Sequence, residues 1–166
     1  RRRFLVEGPA RNGCLRVARE SLHLFGESLL EVRLGELLKG GVARIGHVLG
    51  RARLARAGVF FNEAETMDTG DHGAEQLASL VRILKGETTT MFFHCRGGSM
   101  ADSVCLTPRL HLALMRELGC LELPAATPDI DERIELWRER LTPVMTEAEL
   151  APTVTSVSVF KFGIDE

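Results

Sequence analysis

An apolar run, Phe4-Leu5-Val6, leads into Gly8-Pro9-Ala10-Arg11-Asn12-Gly13-Cys14-Leu15, and a helical pattern begins directly behind it. Strand, glycine loop, helix is the context a phosphate-binding loop needs. The two glycines have the separation of such a loop, but Cys14 and Leu15 stand where its lysine and hydroxyl residue belong. A second stretch, Val59-Phe60-Phe61-Asn62-Glu63, is an apolar strand closing on a polar pair. A nucleoside triphosphatase carries Asp-Glu at that place. The framework of a nucleotide site is visible here, with most of its charged chemistry missing.

The same alternation runs through the chain. Leu15, Ala18, Leu22 and Phe25 lie at spacings of three and four, with Gly26 placed to end that helix. Leu29 to Leu34 predicts a second strand, and Gly40-Gly41 a break. Val42, Ile45, Leu49 and Ala52 mark a second amphipathic helix, arginine-rich on its other face and closed by Gly58, with the strand from Val59 following at once. Asp68 to Gly73 reads as a polar turn before a helix bearing Leu77, Leu80, Val81 and Leu84, which Gly86 ends. Thr88 to Cys95 predicts a fourth strand, Gly97-Gly98-Ser99 a loop, residues 108 to 118 a short helix, and Cys120 to Leu123 a last strand. The result is an α/β fold with a parallel sheet covered on both faces. Beyond Pro124, Thr127-Pro128 with Asp129, Asp131 and Glu132 has the form of a helix start, and Ile130, Ile134, Trp137 and Leu141 form its apolar face. A weaker helical piece covers 146 to 151, and Val157 to Phe162 is ambiguous.

At 166 residues the chain suffices for one full core with a small appendage. A net charge of −2 gives no basic field for nucleic acid, and no apolar run is long enough to span a bilayer. Arg1 to Arg3 form a local basic cap, read as flanking a boundary rather than binding anything. The chain lacks an initiator Met and is expected to be a segment of a larger protein. Cys14, Cys95, Cys105 and Cys120 are widely spaced, which favours reduced, buried thiols in a cytoplasmic protein. Their spacing does not suit a zinc site with His94 or His111.

The loop's backbone chemistry survives at Gly8 and Gly13, where N–H groups and the following helix can face phosphate. Cys14 cannot supply the lysine's charge and Leu15 cannot hold magnesium; Arg11 or Arg16 would replace the charge only in part. The plain alternative is a glycine turn in which Asn12-Gly13 accommodates positive φ. At the second stretch, Asn62 is neutral and holds a magnesium shell poorly, whereas Glu63 keeps general-base chemistry. Its plain alternative is a polar pair that merely ends a buried strand. The order and separation of the two stretches carry more than either alone.

On FLVEGP, LLEVRLGELL, VFFNEAE, the strand before Arg96 and ERIELWRERL, the chain resembles the AAA+ ATPase family, in particular bacterial AAA proteins. The resemblance implies a three-layer αβα P-loop NTPase-like fold with a five-stranded parallel sheet of order 5-1-4-3-2. It implies a core over 1–124 and the start of a helical lid over 125–166. It assigns Walker A, the nucleotide-binding loop, to Gly8, Pro9, Ala10, Arg11, Asn12, Gly13, Cys14 and Leu15. Walker B falls on Val59 to Glu63, with Asn62 at the Asp position and Glu63 as remnant general base. Arg96 falls at sensor 1, where the family usually has Asn, and Arg116 at the arginine finger. Arg133 and Trp137 fall at the lid entry.

Four family residues are replaced, each serving a different part of one reaction. The resulting expectation is a catalytically inactive module serving assembly or regulation of an active AAA module, in the same chain or in a homo-oligomeric ring. It would bind ATP or ADP weakly, without magnesium or another metal, and without membrane or nucleic acid as partner. The arginine-rich helix from Arg44 to Arg56 would be a solvated face or would meet a neighbour. The rivals are a working ATPase that uses Glu63 and an arginine in place of the lysine, and an interaction domain that binds no nucleotide.

Overall fold

A computed structural model describes residues 2–8, 13–68, 72–96, 106–124, 130–143 and 145–159. Strand β1 (Arg3–Gly8) precedes helix α1 (Cys14–His23), and β2 (Ser28–Arg33) runs straight into α2 (Leu34–Leu38). Helix α3 (Ala43–Leu54), β3 (Ala57–Asn62), a 3-10 turn (Ala64–Asp68) and α4 (Gly73–Lys85) follow. Then come β4 (Met91–Arg96), α5 (Pro108–Leu112) with a π-helical turn (Ala113–Glu117), β5 (Leu121–Pro124), α6 (Ile130–Leu141) and α7 (Glu147–Val159). The five strands form one sheet in the order β2-β3-β4-β1-β5, paired in parallel throughout. This is the expected order 5-1-4-3-2 read from the other edge.

Side-chain alternation divides the core. Val6, Phe60 and Phe92 point to one face and pack with Cys14, Ala18 and Leu22 of α1. Leu5, Val59, Phe61, Met91 and Phe93 point to the other, where α2, α3, α4 and α5 supply the larger cluster. The inner strands read as unbroken apolar runs because they are covered on both faces.

Several boundaries differ from expectation, each for a local reason. Gly58 does not close α3. That helix ends at Leu54, the turn is made by Arg56 in the left-handed region (φ 49°), and Gly58 lies inside β3. A Cβ on Gly58 would stand 2.6 Å from Leu22 Cδ1, so its missing side chain lets α1 lie close on the sheet. Phe25 lies beyond α1 and is exposed, with the Arg2 guanidinium 4.1 Å from its ring centre. Helix α2 and the 3-10 turn are too short for a periodic signal. Helix α7 extends well past 151 in spite of Pro152, and Thr127 and Pro128 lie outside the described residues.

The basic cap needs the largest correction. Arg3 is buried, and its guanidinium donates to the carbonyls of Leu118 (2.7 Å), Leu84 (2.8 Å), Glu87 (3.0 Å) and Lys85 (3.2 Å). It therefore ties the start of β1 to the end of α4 and to the turn before β5. Cys14, Cys95 and Cys120 are buried, whereas Cys105 lies outside the described residues. Burial pushes the Cys120 thiol up to about 12, opposed by the charge of Arg3.

Two outcomes follow. Arg3→Leu strands buried carbonyls and should lower stability by roughly 3 kcal/mol or more, seen as a fall in the urea midpoint; Arg3→Lys, lacking the planar fork, should restore only part of it. Cys120 should resist a thiol reagent at mildly alkaline pH while the protein is folded and react once denaturant is added. Modification of folded Cys120 at the rate of a free thiol would contradict the burial described here.

Candidate functional site

The C-terminal tips of β1, β3 and β4 lie side by side, with Gly8, Asn62 and Arg96 at their ends. Gly8 ends β1, and its register partner is Arg96, the last residue of β4. Gly13 caps α1 at φ 85°, a conformation that glycine adopts without strain, with no side-chain cap on the helix. Pro9, Ala10, Arg11 and Asn12, as well as the Arg96 side chain, lie outside the described residues. Cys14, at the lysine position, is buried between α1 and the sheet, and Leu15 packs against the same cluster. Arg16 is turned along α1 to Glu20 (2.6 Å) and across to Glu139 of α6 (3.5 Å). The Glu20 hydrogen bond is the main cause that holds its pKa above the ordinary arginine value.

At the tip of β3, Asn62 shares the α1 side of the sheet with Phe60, by strand alternation. Its Oδ1 accepts from the Glu63 N–H at 3.0 Å and lies 2.9 Å from His94 Nδ1. His94 is buried on β4, with its ring stacked on Phe60 (centroids 5.7 Å apart). Glu63 follows in the left-handed region (φ 62°), and its carbonyl accepts from Thr66 N (3.0 Å) and Thr66 Oγ1 (2.7 Å). A Cβ on Gly35 of α2 would lie 3.3 Å from Glu63 Oε2, so the carboxylate sits beside α2.

His94 and Thr66 are positions that sequence reasoning missed as parts of this site. His94 could have been found from strand alternation, since it shares a face with Phe92 and faces the neighbouring strand. Nearby, buried Asp68 accepts from Thr107 Oγ1 and pairs with Arg109 (3.1 Å), and Thr107 also accepts from Leu110 N (3.1 Å) to cap α5. These bonds fix the chain where it re-enters from 97–105.

Arg116 does not join this group. It is exposed in the π-helical turn, two residues before Leu118, whose carbonyl bonds Arg3 at the opposite end of β1. Cys14 and Leu15 carry no side-chain oxygen, and the Asn62 amide oxygen meets the Glu63 N–H and His94 Nδ1, so both of its lone pairs have partners within the protein.

The comparisons with known proteins bear on the fold. No family model and no curated protein matches the sequence. Among solved structures, one described as "Structural Basis for Katanin Self-Assembly" matches with a TM-score of 0.66 and 16% identity, over 95% of this chain and 51% of that one. The chain thus spans about half the length of that neighbour. At such identity the likeness is one of fold: a five-stranded parallel sheet covered by helices on both faces. Among the described residues, no helix is long and apolar enough to cross a membrane.

Glu7, on β1 just before the loop, provides a pH test. Burial first, then the charge of Glu122, raise its carboxyl pKa, and His111 opposes them. A raised folded-state pKa gives stability that is complete below the unfolded value and is lost as pH rises through the folded one. Glu7→Gln should therefore raise the melting temperature near pH 7 and lose that advantage below about pH 4. A variant less stable than the parent at neutral pH would contradict this.

Proposed function

We propose that this chain is a degenerate AAA-like module, catalytically inactive, that serves assembly or regulation of active AAA modules. The observation that carries the reading is the burial of Cys14. The residue at the position of a phosphate-binding lysine is part of the packing between α1 and the sheet. Phosphoryl transfer is catalysed almost entirely by positioning and electrostatic stabilisation. A side chain committed to the core offers no charge to a terminal phosphate. Arg16, the nearby cation in α1, is engaged with Glu20 and Glu139. Glu63 remains, but a general base without the groups that stabilise transferring charge has little to act on.

On this reading the core spans 1–124, and 125–166 begins a helical lid. ATP or ADP binds weakly. The partners are AAA modules in the same chain or in a homo-oligomeric ring, and the setting is cytoplasmic. Arg116 acts on a neighbour's site, and the exposed arginines of α3, Arg44, Arg51 and Arg53, face that neighbour. The solved structure with the similar fold concerns self-assembly by katanin, which agrees with a role in assembly. An arginine finger needs a rigid platform rather than a nucleotide of its own.

The chain should show no ATP turnover above background in the presence of magnesium. Each missing electrostatic group is worth roughly 3 kcal/mol, so three or four losses put turnover beyond detection. Turnover that disappears in Glu63→Gln would instead establish a working ATPase. In the full-length assembly, Arg116→Ala should reduce turnover by about tenfold or more, the low side of an arginine finger's range. Unchanged assembly and turnover in Arg116→Ala, Arg51→Ala and Arg53→Ala would favour an interaction domain of another kind.

A further inference from the structure

The hydrogen bonds around Asn62 specify more than the loss of a carboxylate. The Glu63 N–H can only donate, so the Asn62 atom 3.0 Å from it is the amide oxygen. That assignment fixes the next one. His94 Nδ1, 2.9 Å from the same oxygen, must carry the proton of that bond. The imidazole is held for this purpose: it is buried and its ring lies on Phe60. An amide oxygen has two lone pairs, and both are now occupied. The remaining polar group of half-buried Asn62 is its NH2, which donates and cannot accept.

Magnesium at a nucleotide site needs an acceptor here, either as a direct ligand or for the hydration waters it keeps. Asn62 offers donors, which suit an anionic oxygen and repel a cation. An aspartate of the same shape would make the same two bonds with one oxygen and leave the second as an acceptor. The difference between the residues is therefore a reversal of the charge that the position attracts.

We infer that the tip of β3 beside β4 meets a nucleotide in its magnesium-free polyphosphate form, with His94 as the positioning residue that keeps the Asn62 oxygen occupied. The nucleotide class rests on the function proposed above; the metal-free form rests on these hydrogen bonds. Cellular ATP is mostly the magnesium complex, so such a module discriminates against the form that active modules consume.

The test is calorimetric titration of ATP into the chain, once with EDTA and once with excess magnesium. The expected result is binding in EDTA and an apparent affinity about tenfold weaker in magnesium, a shift of roughly 1.4 kcal/mol. Asn62→Asp should reverse the sign, with magnesium tightening binding. His94→Phe keeps the ring on Phe60 but loses the donor, freeing one lone pair. It should reduce the magnesium penalty, whereas a purely structural role would weaken binding equally in both buffers. Circular dichroism confirms that each variant is folded. Tighter binding of the parent chain in magnesium, or no binding in either buffer, overturns the inference. Neither result touches the assembly reading, which fails separately if the chain turns over ATP.

Discussion

The buried guanidinium of Arg3 is the fixed point of this structure. The last carbonyls of a helix have no partner within the helix, and those at the end of α4 find one in a side chain from β1. Arg3 reaches three carbonyls at that end and a fourth before β5, and its charge also opposes the negative end of the α4 dipole. One side chain thereby fixes the lower end of β1 relative to the elements that lead into both of its neighbours. The register of β1 with β4 and β5 follows, and with it the height at which Gly8 emerges at the opposite end.

From that anchored strand the site is assembled by packing as much as by polar bonds. Gly58 lets Leu22 bring α1 down on β3, Cys14 fills the space under its first turn, and Phe60 supports both α1 and the His94 ring. The same phenylalanine thus belongs to the core and to the polar pair at the strand tips. A phosphate loop needs its helix close to the sheet but its charged groups free. Here α1 lies close on the sheet, and Cys14 and Leu15 at its start belong to the packing.

Much of this could be read before the fold was known, and the omissions have physical causes. The inner strands were legible because two-sided burial writes continuous apolar runs, as at Val59 to Phe61. The strand order came from the family resemblance, since no periodicity encodes which strands are neighbours. Gly8, Asn62 and Arg96 were legible as the ends of three strands, which the sheet then sets side by side. Arg3 was not, because its partners are carbonyls, which every residue has. Gly58 was misread because a glycine that ends a helix and one that admits a neighbouring helix look alike in one dimension. The turn fell instead to Arg56, a residue type that rarely takes positive φ. His94 was hidden for a third reason: its role comes from a neighbouring strand far away in sequence.

The position of β1 has a consequence for how the chain acquires its fold. Of these five strands the earliest translated sits between β4 and β5, whose residues follow much later; Arg3 finds its register partner at Met91 and Phe4 another at Leu121. Until then Phe4-Leu5-Val6 has two unsatisfied edges, the condition in which nascent segments stick to one another. The sequence-local units β2-α3-β3 and β3-α4-β4 can close earlier, leaving the free edge of β4 for β1 to join before β5 covers its other side. Nascent chains stalled before β4 should accordingly need a holding factor, and those released after β5 should not.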